Sequence, residues 1–215
     1  MSKLKYNNIK KIIIIENILD YLYPNPNSTL YYINEYTLLI AVILTSRSKE
    51  KKVNDITKNL FKIIQNPEDF ISYSSERIKK YLNKIGLYNK KYNYIYNLSN
   101  ILINKCNRII PKDIYQLKRF PGVGHKTASV FLSHVSDIPV FPVDTHIHRM
   151  MYRWKLSIGK NVKKTEKDAK RIFEKKHWNK LHHQIINYAR EYSPSKNWNK
   201  HKDVIYQELL NNHLL

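Results

Sequence analysis

The chain has 215 residues, enough for one large domain or two smaller ones that share a core. Its 38 Lys and Arg outnumber 17 Asp and Glu, and the net charge of +21 points to a polyanionic partner, although AT-rich codons would also favour the abundant Lys, Asn, Ile and Tyr. The single Cys106 excludes an intrachain disulfide and any all-cysteine zinc or iron–sulfur site.

Taken in chain order, the pattern is helical. A first helix is predicted over 9–23, stopped by Pro24 and Pro26. Its run Ile12 to Ile15 is too short to span a membrane and is broken by Glu16, and no small-residue cleavage site follows, so neither a membrane span nor a secretory signal is expected. After a loop over 25–32, residues 35–45 are apolar nearly all round and predict a buried helix. Ser46-Arg47-Ser48-Lys49 is a polar break. Val53, Ile56, Leu60 and Ile63 mark the next helix, ending before Pro67. Ser75 is expected to cap a helix over 76–85, closed by Gly86. Tyr88, Tyr92, Ile95, Tyr96, Leu98 and Leu102 line a long helix to about Lys105, and helical spacing makes its tyrosines packing residues rather than a base-stacking platform.

Pro111 opens the next helix, with Ile114, Leu117 and Phe120 inward. Two of the four glycines then fall in the turn Pro121-Gly122-Val123-Gly124, where the backbone needs positive φ or another backbone comes close. Ala128, Phe131, Leu132 and Val135 share one face of a helix starting near Gly124. Its free N–H groups, behind a glycine turn, suit a phosphate. Residues 138–143 read as extended loop because of Pro139 and Pro142. Asp144 reads as the N-cap of a helix to about Trp154. Thr165-x-x-Asp168 has the form of a capping box, Leu181, Ile185, Tyr188 and Ala189 mark a further helix, and 203–214 is a last amphipathic one. No alternating strand pattern is present, so the fold class is all-α.

Three segments carry a family resemblance. Leu-x-x-x-Pro-Gly-Val-Gly-x-Lys-Thr-Ala (117–128) followed by Val-Asp-Thr-His-Ile-x-Arg (143–149) resembles endonuclease III, a helix-hairpin-helix DNA glycosylase with AP-lyase activity. Residues 38–44 resemble the helix before that family's first DNA-contact loop, and Ile85-Gly86-Leu87-Tyr88-Asn89-Lys90-Lys91 resembles its second. The resemblance implies two lobes: a contiguous helical barrel over 27–137 with the hairpin at about 113–135, and a second lobe from 1–26 plus 138–215. It implies an active site in the cleft between them, with Lys126 on one lobe and Asp144 on the other.

The implied chemistry has a physical logic. Breaking an N-glycosidic bond builds positive charge on the sugar, which the Asp144 carboxylate would stabilise. Lys126 would attack C1′ as a neutral amine, and its place in the first turn of a helix, with desolvation by bound DNA, disfavours the cation. Read singly, Lys126 is a phosphate contact and Asp144 a helix cap; the pair at this spacing points to catalysis. Gly122, Val123, Gly124 and His125 are expected at a DNA phosphate, and His146 near the DNA. Arg47 and Leu87 would fill the gap left by an extruded nucleotide.

Two departures stand out. Arg47 occupies a position that is usually Gln, and an arginine there can donate to guanine acceptors or simply meet a phosphate. The four C-terminal cysteines that usually hold an iron–sulfur cluster are missing; the first would fall at Ser193. No cluster and no other cofactor or metal is expected, and the loop at 193–201 must be held by packing, with Trp198 as the candidate. His146, His148, His182 and His183 do not form a ligand set by spacing, since alternate helix residues do not share a face. The expected protein is a monomeric, cytoplasmic, nucleoid-associated glycosylase/AP lyase that excises oxidised pyrimidines from duplex DNA in base excision repair and binds no membrane. Its rivals are a glycosylase of the same superfold with another base specificity and a non-catalytic helix-hairpin-helix DNA-binding protein.

Overall fold

In a computed structural model, the structure describes residues 3–26, 30–136 and 138–215, with only the backbone of 3–5. The described residues are helical without strands: α1 (Lys3–Leu22), α2 (Glu35–Thr45), α3 (Glu50–Leu60), α4 (Pro67–Ser72), α5 (Ser75–Leu82), α6 (Tyr88–Lys105), α7 (Ile114–Leu117), α8 (His125–Val135), α9 (Thr145–Arg153), α10 (Val162–Ile172), α11 (Trp178–Glu191) and α12 (Val204–Asn211). Cα proximity divides them into two compact units, 28–138 and 1–27 with 139–215.

The unit 28–138 is built around α2. Every residue from Tyr36 to Leu44 is buried, and α3, α6 and α8 pack against this helix. Such an apolar helix needs its polar ends settled elsewhere. Asn34 and Thr37 close the N-terminus as a reciprocal capping box. At the C-terminus the buried ammonium of Lys91, from α6, donates to the Leu44 carbonyl at 2.9 Å. Helix α4 was not legible as periodicity; Asn66 caps it, Pro67 starts it and Asp69 completes the box. Ser74, not Ser75, accepts from Arg77 N–H to cap α5. Gly86 does not close α5 with a left-handed residue. That conformation falls on Leu87, with φ 60°.

The unit formed by 1–27 and 139–215 packs α11 against α9 and α1, with α12 on α1 and α10 on α9. Ile15, Leu19, Phe141, Ile147, Trp154, Ile185, Tyr188 and Ile205 form the centre of its core. Lys11 works here as Lys91 does in the other unit: its buried amine donates to the carbonyls of Trp154 and Lys155 at 3.1 and 3.3 Å, satisfying the end of α9. The expected capping box at Thr165 and Asp168 is a different device. Helix α10 is capped by Asn161, and both residues lie buried inside it. Thr165 donates back to the Asn161 carbonyl, while Asp168 accepts from Ser157 and Lys164.

The segment 193–203 is held by two clasps. Arg153 donates to the carbonyl and hydroxyl of Ser193 at 2.8 and 2.7 Å and to the Pro194 carbonyl, and its guanidinium stacks 3.7 Å from the Trp198 ring centre. Fully buried Asp203 accepts from Tyr188 Oη at 2.6 Å, from Trp198 Nε1 at 2.9 Å and from Tyr206 N–H at 3.1 Å. Trp198 therefore holds the loop by a hydrogen bond and a cation stack, not only by packing. Burial and the Asp203 charge push the Tyr188 hydroxyl well above the usual phenol range, so it stays a donor. Replacing Asp203 with Ala orphans the buried Tyr188 hydroxyl and the half-buried Trp198 indole and removes the α12 cap, and is expected to cost ~2–4 kcal/mol of unfolding free energy. Urea denaturation at constant m would show it.

Candidate active site and nucleic-acid interface

The glycine turn gets its geometry from two different needs. Gly122 has φ 77°, and a Cβ there would sit 2.7 Å from Cδ2 of Tyr94 on α6, so both backbone and space require glycine. Gly124 is the N-cap of α8 with φ −86°, and a Cβ there would meet nothing within 4 Å. No contact inside the protein explains its missing side chain; open space at the mouth of a helix is where an external anion would approach. The Val123 N–H is spent within the turn, on the Phe120 carbonyl at 3.1 Å, and its side chain is buried. Val123 therefore anchors the hairpin, contrary to the expectation that its N–H faces a phosphate. The first turn of α8 keeps N–H groups with no place in the helical ladder, and Lys118, Arg119, His125 and Lys126 are all exposed around it. The helix preceding the turn is shorter than predicted, with Asp113 rather than Pro111 at its start.

Lys126 is the second residue of α8. Asp144 belongs to the other unit and caps α9, with Oδ1 accepting from His146 N–H at 2.8 Å and Ile147 N–H at 2.9 Å. Because one oxygen takes both bonds, Oδ2 is left for other chemistry. Arg149 donates to Nδ1 of His146 and to the Ala189 and Ser193 carbonyls, and the Asp144 charge opposes the lowering of its pKa by burial.

The turns that carry Arg47 and Leu87 adjoin. Both side chains are exposed, and both backbones are left-handed, with φ 54° and 60°. For side chains of this size that conformation costs ~1–2 kcal/mol each, and such strain clusters at functional sites. The Arg47 carbonyl lies 3.7 Å from where a Cβ of Gly86 would stand, so the two turns touch. Helix α6 begins at this point and carries Tyr94, the seat of Gly122, about 10 Å further along at 1.5 Å per residue.

A family model described as HhH-GPD superfamily base excision DNA repair protein matches residues 40–175. The endonuclease III of Rickettsia prowazekii (strain Madrid E) is 39% identical over 167 residues, covering 78% of this chain and 79% of that one. This chain belongs to the endonuclease III family. A solved trapped endonuclease III–DNA covalent intermediate is similar in fold, with a TM-score of 0.83 at 30% identity over 93% of this chain and 92% of that one. A non-covalent endonuclease III–DNA complex gives 0.84 at 28%, over 98% and 100%.

The iron–sulfur cluster implied by the family resemblance does not fit these residues. Cys106 lies in the other unit, after α6. Ser193, at the position of the first cluster cysteine, is fully buried and bonded to Arg153. Among the described residues no group of three or more His, Cys, Asp or Glu could hold a metal ion. Lys91, which the family resemblance places in the second DNA-contact loop, instead lies inside α6 on a buried face where a charge is unexpected.

The two glycines should separate in mutagenesis. Gly122→Ala is expected to lower stability by ~2 kcal/mol or more through strain and collision with Tyr94. Gly124→Ala should cost no more than ~1 kcal/mol in stability but weaken duplex binding several-fold. Thermal melts paired with fluorescence anisotropy on undamaged duplex would test both.

Proposed function

We infer that this chain is a bifunctional DNA glycosylase and AP lyase of base excision repair, removing oxidised pyrimidines from duplex DNA and nicking the abasic site. The observation that carries the catalytic assignment is the amine of Lys126 at the mouth of α8, directly beyond the glycine turn. A glycosylase that only releases bases has no need of an amine nucleophile there.

In this reading the hairpin turn and the first turn of α8 hold a backbone phosphate. Leu87 and Arg47 fill the gap left by the extruded nucleotide, with His125 and His146 beside the DNA. The bond from C1′ to the base breaks with its electron pair leaving on the base, which is protonated. Lys126 Nζ, neutral at attack, bonds to C1′. The Asp144 carboxylate stabilises the positive sugar and accepts the proton that the amine loses. The sugar ring opens to a Schiff base, a C2′ proton is lost, and β-elimination expels the 3′ phosphate.

Borohydride reduction in the presence of an abasic-site duplex should yield a covalent adduct that Lys126→Ala abolishes; wild-type protein without an adduct would leave a DNA-binding module. Asn is as good an N-cap as Asp, so Asp144→Asn keeps α9 while removing the charge. It should slow base release ~10²–10³-fold and leave duplex affinity near that of wild type. Collapse of affinity would make Asp144 purely structural.

The same reading has no iron–sulfur cluster, the Arg153 and Asp203 clasps standing in for it. Purified protein should contain no stoichiometric iron, and its activity should survive prolonged chelation; iron at about four per chain would contradict this. Among the described residues no helix is long and apolar enough to cross a membrane. A cytoplasmic, nucleoid-associated monomer fits the net charge of +21.

A further inference from the structure

Helix α6 starts without a side-chain cap: its N-cap is Leu87, in left-handed conformation and with no side-chain hydrogen bond. What fixes the start is the fourth residue of the helix. Lys91 is 3% exposed, and its Nζ reaches the Leu44 carbonyl at the end of α2 (2.9 Å) and the Ser48 hydroxyl (3.1 Å). Ser48 N–H in turn donates to the Thr45 carbonyl at 2.9 Å, closing a turn with the strained Arg47 at its apex. One ammonium thus ties together the end of α2, the Arg47 turn and the start of α6 that presents Leu87.

A cation near a helix N-terminus is disfavoured by that helix's dipole and favoured by the C-terminus of another. Lys91 has the first relation to α6 and the second to α2. Burial without a carboxylate partner lowers its pKa to about 8, so it remains mostly charged at neutral pH. An apolar residue would pack this site without that desolvation cost but could not bond to both sides of the junction.

We propose that Lys91 is a positioning residue for base extrusion: from inside the fold it fixes the Arg47 turn against the Leu87 turn, so that both side chains enter the duplex at one step. The proposal rests on the reading that these two side chains fill the vacated gap. It also assigns a division of labour along α6. Lys91 secures the gap-filling turn at the start of α6, and Tyr94, one turn further along under Gly122, secures the phosphate-gripping turn.

The test compares single-turnover excision from two duplexes. In one the lesion is fully paired; in the other it faces an abasic site, so that little pairing remains to be broken. Lys91→Met keeps the stem and removes the donors. It should slow the paired substrate roughly ten- to a hundredfold and the unpaired one no more than about twofold. Lys91→Arg should recover most of the loss. Ser48→Ala, which removes one of the two bonds without emptying the core, should shift the ratio in the same direction by a smaller factor and covers the case in which Lys91→Met does not fold. Leu87→Ala and Arg47→Ala serve as benchmarks. If they discriminate between the substrates while the Lys91 and Ser48 variants slow both alike, Lys91 is only structural and the proposal is overturned. If neither benchmark discriminates, the gap-filling reading fails, and the proposal loses its ground with it.

Discussion

The closest constraint in the unit 28–138 is the seat of Gly122 on the Tyr94 ring. No Cβ fits between them, and φ 77° admits few other residues. This contact fixes the hairpin turn to α6, and therefore the direction in which α8 leaves it with Lys126 in its first turn. The same helix starts after its N-cap Leu87 and carries Lys91 one turn before Tyr94. A rigid helix of known rise is a ruler: in the proposed function it sets the separation between the turn that would grip a phosphate and the side chains that would fill the gap, without any contact between them. The left-handed backbones of Arg47 and Leu87 persist because this packing over-determines them.

A second theme is the use of polar groups for structure and chemistry together. Asp144 caps α9 through one oxygen, which orients the other and removes rotamer freedom from the carboxylate that the proposed function sets against developing charge. Lys11 and Lys91 are buried cations that end helices α9 and α2 where no glycine is available to do so. In a chain with four glycines and 38 basic residues, lysine takes over part of the capping work. The clasp at 193–203 follows the same logic: a carboxylate, a phenol, an indole and a guanidinium hold the loop with directional hydrogen bonds.

Helix periodicity was largely legible because burial is strong and the period long. The limits of α2 and α6 follow from apolar runs bounded by polar breaks, and Asp144 announces itself as a cap. What escaped was local or non-local in a way periodicity cannot report. Helix α4 is too short for a period and shows only in its Asn-Pro-x-Asp start. Thr165 and Asp168 have capping spacing, but burial makes them interior partners of Asn161 and Ser157. Gly86 looked like a helix stop, yet the positive φ fell on Leu87, because the chain there is shaped by the Arg47 turn and Lys91, more than 40 residues away in sequence from Leu44. Gly122 and Gly124 look equivalent in the motif and are not: one is required by Tyr94, whereas a Cβ on the other would meet nothing within the protein.

The account depends most on one nitrogen atom. Borohydride-reduced complex with an abasic-site duplex, digested with nuclease and protease and mapped by mass spectrometry, identifies the residue that bonded to C1′. The prediction is a reduced sugar remnant on Lys126 alone. A remnant on another lysine of the basic surface, or on the N-terminal amine, would contradict it.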